Sequence, residues 1–224
     1  MNFNVSAVPK FSVSKAHIAQ LYLSRKIITE DRLPERINLI GGVDVAYTDK
    51  WAIGAAVVLD SESLELLEQQ IAITKVRLPY VPTLLAFREM PPTTACIKKL
   101  RLQPDVFLVN GQGIAHPYEC GFASHLGLAI GKPTIGVTKN KLIGDPSTIT
   151  SQVFRFKEKR VIEAVAIAKA RAKPIYVSVG HLISLETALK ITKKCLCDNR
   201  LPEPILLAHK IASEEKKKRQ FADK

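Results

Sequence analysis

Only three residues, Thr48-Asp49-Lys50, separate an apolar run that ends at Tyr47 from another that spans Trp51 to Leu59. A link that short cannot carry the crossover that parallel strands need, so the two runs read as an antiparallel hairpin. A third run, Leu66 to Val76, follows after Asp60 to Glu65 and alternates polar positions around Ile71 and Ile73. Residues 37–76 are therefore expected to form an antiparallel meander whose first strand is Ile37 to Tyr47.

Beyond the meander the pattern changes. Val106 to Val109 reads as a short buried strand and runs straight into Asn110-Gly111-Gln112-Gly113. Two glycines so close suit a sharp turn that lets a ligand approach the backbone, and polar groups past the end of a buried strand are a common α/β active-site setting. An ordinary strand-to-loop turn uses the same residues. His116 follows, then a helix expected from Glu119 to Ile130 and stopped by Gly131. Pro133 to Thr138 reads as another buried strand and ends at Lys139. Val161 to Ala166 and Ile175 to Val179 are further strand candidates, the first also compatible with helix.

The remaining helices are expected around these strands. Ser14 is placed as the cap of a helix from Lys15 to about Thr29, with Ile18, Leu21, Tyr22 and Ile28 on one side. A short helix from Thr83 to Glu89 is expected to break at Pro91-Pro92, with a second piece from Thr93 to Leu100. Ser184 caps a helix reaching Cys197, and Pro204 starts a last helix to about Lys218. The fold class is α/β, a mixed β-sheet flanked by helices. The length suits a single domain over residues 1–224, with a loose arm over 1–12 and a basic tail over 213–224.

Composition narrows the function classes. Lys and Arg number 33 against 21 Asp and Glu, a net charge of +12, which points to a polyanionic partner and first to nucleic acid. No apolar run is long enough to span a membrane and no signal-peptide pattern opens the chain, so a cytoplasmic, membrane-free monomer is expected. Cys96, Cys120, Cys195 and Cys197 lack zinc-finger spacing and fit reduced thiols.

Several side chains stand out against their surroundings. Asp44 interrupts an apolar strand, which is costly in a dry core and sensible where a cation sits at a cleft edge. Strand alternation puts Gly42, Asp44 and Ala46 on one face, where small neighbours leave room for a ligand. An exposed strand position explains Asp44 equally well. Glu89 beside Arg88 also fits a surface ion pair, and Lys139 a solvated strand end. His209 shares an apolar helical face with Ile205 and Ala212, as a core histidine would, and His181 is ambiguous. In Leu78-Pro79-Tyr80-Val81-Pro82 the prolines exclude regular structure and hold Tyr80 either as a stacking platform or as a buried loop anchor.

Taken in order, these motifs resemble the endonuclease V family. The resemblance is carried by Gly41 to Tyr47, Pro79 to Pro82, Leu85-Ala86-Phe87-Arg88-Glu89 and Val109 to Pro117. It continues through Gly121 to Gly127, Pro133 to Lys139, Ser178 to Ala188 and Arg200 to His209, and is collinear from about residue 38 to 212. It implies a ribonuclease H-like fold and a DNA-repair endonuclease directed at deoxyinosine (hypoxanthine). Such an enzyme cuts the second phosphodiester bond on the 3′ side of the lesion with Mg²⁺, or Mn²⁺ as a substitute. Inosine-containing RNA is a second substrate class left open. By the same resemblance Asp44 and position 110 match metal-ligand carboxylates, Glu89 the catalytic glutamate, His209 a metal-site histidine and Lys139 a lysine near the scissile phosphate. His116 borders the site, and Tyr80, flanked by Pro79 and Pro82, matches the wedge that fills the gap left by the extruded base. Backbone around Leu85, Gly111, Gly121 and Leu142 would line the base pocket.

The chain departs from the family pattern at three positions. Asn110 stands where aspartate is expected, Gln112 where histidine or asparagine is usual, and Thr83 where glycine is usual. Asn110 removes a negative charge where a divalent cation must sit. Two readings follow: a metal-dependent endonuclease weakened at position 110, or a non-cleaving protein of the same fold that binds inosine-containing nucleic acid.

Overall fold

The computed structural model describes residues 11–139, 149–150, 153–158, 160–167 and 173–222. Its first three strands are β1 (Leu39–Tyr47), β2 (Trp51–Asp60) and β3 (Leu66–Lys75), and they form the expected antiparallel meander. β4 (Val106–Asn110) then pairs parallel with β1, and β5 (Thr134–Thr138) parallel with β4. The strands β6 (Ile149–Thr150), β7 (Val153–Glu158), β8 (Arg160–Ile167) and β9 (Ile175–His181) add antiparallel pairs on the far side of β5. The sheet order is β3-β2-β1-β4-β5-β9-β8-β7-β6. Residues 160–167 are therefore strand rather than helix, and β6 and β7 were not anticipated.

Helices cover both faces. Strand alternation sends Val43, Phe107 and Val109 to one face, where they pack with Ala86 and Cys96 of α2 (Leu85–Ile97) and with Phe122 and Leu126 of α3 (Phe122–Ile130). Ile40, Leu108, Ile135 and Val177 go to the other face, against Ala188 and Ile191 of α4 (Leu185–Lys194) and Ile205 of α5 (Glu203–Ala222). Ala208 and Ala212 of α5 meet Ile53, Ala55 and Val57 of β2 there. Every one of these side chains is essentially sealed from solvent, and each fully buried aliphatic or aromatic contributes roughly 1.5–3 kcal/mol.

Local signals hold at several ends. Ser184 accepts a hydrogen bond from the Thr187 N–H at the start of α4, and Gly131 ends α3 in the left-handed region at φ 63°. α3 nevertheless begins at Phe122, since Glu119 lies outside it with φ 51°. α5 runs past Lys218 to Ala222, so residues 213–222 of the expected basic tail are helical.

Two helices differ from expectation. Pro91 and Pro92 lie inside one continuous α2. An interior proline costs about 3 kcal/mol through the lost donor and the ring clash. Here Pro92 is buried flat against β2, where a side chain at Gly54 would collide with the Pro92 carbonyl at 2.6 Å. Packing against the sheet thus overrides local propensity. The first helix, α1 (Val13–Ser24), is capped by Ser12 rather than Ser14. Its buried side is Ala16 and Gln20, while Ile18, Leu21, Tyr22 and the later Ile28 are all exposed. α1 docks through hydrogen bonds rather than through its apolar stripe.

Candidate active site

The parallel register between β1 and β4 pairs Val43 with Val109, so one residue further on Asp44 and Asn110 stand side by side on the α5 face. The Asn110 Nδ2–H donates to Asp44 Oδ1 at 2.8 Å. The second Asp44 oxygen accepts from His209 Nδ1 at 2.6 Å. Asp44 is 5 % exposed, so this carboxylate is buried with both oxygens engaged.

His209 reaches Asp44 because α5 approaches β1 closely. A side chain at Gly42 would strike the Pro204 carbonyl at 2.2 Å. The space beside Gly42 is therefore filled by α5 and is not open to a ligand. From Pro204 to His209 a helix rises about 7.5 Å, and from Gly42 to Asp44 a strand advances about 6.6 Å. A helix seated over Gly42 consequently delivers His209 to Asp44. His209 is not a core residue, since half of its side chain is exposed. The Asp44 hydrogen bond holds its imidazole above the usual histidine range, against the effects of partial burial and of nearby Lys139.

Glu89 enters the same corner from α2, on the opposite face of the sheet. It is buried and, among the described residues, accepts only a long hydrogen bond, 3.4 Å, from the Tyr47 hydroxyl. Burial, reinforced by the Asp44 charge, pushes the Glu89 carboxyl up to about 8. Among the described residues the surface ion pair that Arg88 and Glu89 also fitted is not formed. The Arg88 guanidinium lies 3.9 Å over the Tyr47 ring. Burial and the Glu89 charge raise the Tyr47 phenol in turn. Tyr47 and Arg88 are thus part of the acidic corner, although neither stands out in the sequence beyond the adjacency of Arg88 to Glu89.

Beside this corner opens a cavity of about 420 Å³. Tyr80, Thr83 and Leu85 line one side, Asn110, Gly111, Gln112 and His116 another, and Thr138 and Lys139 a third. Tyr80 is 61 % exposed, which excludes the buried-anchor alternative, and the flanking Pro79 and Pro82 are exposed with it. Lys139 is exposed at the end of β5. His116 is buried: its Nδ1 accepts from the Tyr118 N–H, which leaves Nε2–H to donate to the Thr83 carbonyl at 3.0 Å. Burial drops its pKa to about 4, so it is a neutral brace in the wall of the cavity. His181 is likewise buried and accepts from the Ile28 N–H, away from the cavity.

The glycines serve the protein's own packing more than a ligand. A side chain at Gly113 would overlap the Val179 carbonyl at 1.8 Å, and one at Gly121 the Gln112 carbonyl at 2.4 Å. Of the glycines predicted to border the pocket, Gly111 lines it and Gly121 sits behind it as the cap of α3. Leu142 lies outside the described residues. Among the described residues no group of three or more His, Cys, Asp and Glu side chains is arranged to hold a metal ion, and no helix is long and apolar enough to cross a membrane.

A mixed sheet with helices on both faces, and with Asp44 and Asn110 side by side near the carboxyl ends of β1 and β4, defines a ribonuclease H-like α/β protein. The chain belongs to the endonuclease V family, a family of nucleases, whose model matches residues 21–210. Endonuclease V of Thermofilum pendens is 44% identical over 208 residues, spanning 91% of this chain and 88% of that protein. The crystal structure of the Bacillus subtilis family member superposes with a TM-score of 0.87 at 29% identity, covering 98% of both chains. That of Ciona intestinalis endonuclease V, in complex with a 23mer DNA containing an inosine followed by a ribo-adenosine, has a TM-score of 0.82 and 33% identity. It covers 92% of this chain and 97% of that one.

Proposed function

We propose that this protein is a divalent-cation-dependent endonuclease that takes a deoxyinosine nucleotide into the cavity beside Tyr80 and cuts the second phosphodiester bond on its 3′ side. The observation that carries the reading is the meeting of Asp44, His209 and Glu89 with Asn110, which itself lines a cavity that Tyr80 and Lys139 border. A relative of the same fold was crystallised on inosine-containing DNA, and the +12 charge of this chain suits a polyanionic partner.

The donor set fits Mg²⁺ or Mn²⁺. Carboxylate and amide oxygens are hard ligands, and the Glu89 carboxyl is raised by burial first and second by the Asp44 charge, which a bound cation would offset. Asp44 and the Asn110 amide oxygen would hold the cation, with Glu89 beside them. When bound, the cation would supply the charge that stabilises attacking and leaving oxygens in an in-line displacement. His209 orients Asp44 through the 2.6 Å hydrogen bond, and Lys139 offers its ammonium to a backbone phosphate. Tyr80 stacks where the flipped base leaves the helix, and a deaminated base, which pairs poorly, costs less to extrude.

One observation favours a second reading, a protein that binds inosine-containing strands without cutting them. The Asn110 N–H occupies the Asp44 oxygen that a cation would share, and position 110 brings no charge of its own. The test compares cleavage of an inosine-containing duplex with its adenine counterpart in Mg²⁺, for the chain as given and for Asn110→Asp. Selective cleavage recovered by Asn110→Asp supports the nuclease, selective binding without cleavage by either form the binding protein. Equal treatment of both duplexes refutes inosine recognition.

A further inference from the structure

Thr83, on the cavity wall, is held in an unusual backbone geometry. It adopts φ 73°, a left-handed conformation that is an outlier for a β-branched side chain. Such a residue persists only where its surroundings over-determine it. Three side chains do so here. His17 Nε2 lies 2.9 Å from Thr83 Oγ1, a bond that glycine or valine at 83 cannot make. Gln20 Nε2–H donates to the Thr83 carbonyl at 2.9 Å, and the same amide donates to the Cys120 carbonyl at 3.0 Å. His116 supplies the third bond, to the same Thr83 carbonyl.

These contacts close a circuit. The His17 ring stacks on Tyr118 with centroids 3.9 Å apart and planes 15° from parallel. The Tyr118 N–H donates to His116, and His116 returns to Thr83. Gln20 is fully buried, and among the described residues its Oε1 has no hydrogen-bond partner. Its N–H₂ end is thus committed to two carbonyls at the expense of the oxygen. Both His17 and Gln20 come from α1, whose apolar stripe faces solvent. What α1 grips instead is the turn that carries Tyr80 and opens into α2 at Leu85.

We propose that His17 and Gln20 are positioning residues: through Thr83, α1 clamps the Tyr80–Thr83 turn in a strained geometry and so sets how selectively the cavity accepts its base. This rests on the reading of the cavity as an inosine site. His17→Phe keeps the ring stacked on Tyr118 and deletes the bond to Thr83. Thr83→Val keeps the shape and deletes the hydroxyl, and Thr83→Ser restores it. Affinities are measured for a labelled strand with one inosine and for the same strand with adenine. Backbone amide exchange is followed over residues 79–86 in the absence of nucleic acid.

His17→Phe and Thr83→Val are each expected to lower the inosine-to-adenine affinity ratio by about three- to tenfold, the scale of one hydrogen bond. The double variant is expected to be no worse than either single one, because both remove the same bond. Thr83→Ser is expected to keep the full ratio. Amide exchange over 79–86 is expected to quicken in His17→Phe, Thr83→Val and Gln20→Leu. An undiminished ratio with unchanged exchange in His17→Phe and Thr83→Val overturns the clamp. If the unmodified protein itself shows no preference for inosine, the inosine reading fails. Exchange alone then decides the clamp, and unchanged exchange in His17→Phe and Thr83→Val overturns it.

Discussion

Glu89 is the side chain whose chemistry is furthest from its ordinary state, and replacing it tests the electrostatics of the whole corner. In metal-free protein Glu89→Gln is expected to stabilise the fold at neutral and alkaline pH. The carboxyl is raised from about 4.5 to about 8 by burial first and the Asp44 charge second. Below 4.5 both folded and unfolded chains hold the proton, and the group has no effect on stability. Between 4.5 and 8 only the unfolded chain releases it, so stability falls as pH rises through that window. The shift corresponds to roughly 3 kcal/mol at pH 7 and somewhat more at pH 9. For a chain of this size that is a gain in Tm on the order of 10 °C in Glu89→Gln. The Tyr47 hydroxyl keeps an acceptor, since the glutamine oxygen replaces one carboxylate oxygen. Thermal unfolding of both proteins in EDTA at pH 4.5 and at about pH 9 reads the effect directly. The two are expected to melt together in acid and to separate in base, with the glutamine form higher. A constant difference at both pH values, or a glutamine form that melts lower at pH 9, refutes the argument that Glu89 is held protonated by burial beside Asp44.

Other outcomes follow from the same geometry. Tyr80→Ala is expected to lower inosine discrimination by about ten- to a hundredfold, given ~1–3 kcal/mol for base stacking. Equal losses on inosine and undamaged strands in a binding titration would assign the residue to general DNA affinity. The chain as given is expected to bind inosine-containing strands but to cut them little in Mg²⁺ and partially in Mn²⁺, with Asn110→Asp restoring Mg²⁺ cleavage. Full-rate cleavage in Mg²⁺ by protein shown by mass to retain the Asn110 amide would contradict that. Asn110 is also expected to resist deamidation in the fold despite the Asn-Gly step. The Gly111 N–H that would have to attack already donates to the Val109 and Val137 carbonyls, at 2.8 and 3.1 Å. Peptide mapping after prolonged incubation checks this, and conversion as fast as in the unfolded chain refutes it. Finally, His116 is neutral in the fold down to about pH 4, whereas the unfolded chain protonates it near 6.5. Its contribution of about 3 kcal/mol is therefore present above pH 6.5 and lost as pH falls through about 4. His116→Gln should flatten acid unfolding across that window, as followed by circular dichroism.

Much of the framework was legible because it depends on local rules. Short links at Thr48-Asp49-Lys50 and Asp60–Glu65 permit little but hairpins, and β1 to β3 form them. Ser184 and Gly131 mark helix ends because capping is chemistry between residues a few positions apart. The ordered motifs from Gly41 to His209 were enough to indicate the family, which the match over residues 21–210 establishes.

Tertiary contacts decided the rest. The sequence contains Pro91-Pro92 as a helix breaker, yet α2 continues, with Pro92 packed against the sheet where Gly54 leaves room for it. The helical periodicity of α1 points to Ile18, Leu21 and Tyr22 as its packing face, yet the helix is held by Gln20 and His17 reaching a turn more than sixty residues away. His209 shares a periodic face with Ile205 and Ala212, yet the close approach of α5 at Gly42 carries it out of the core and onto Asp44. The reason is common to all three. Propensity and periodicity act within a few residues, whereas a hydrogen bond between distant segments or a glycine-sized gap is a property of two segments brought together by the fold.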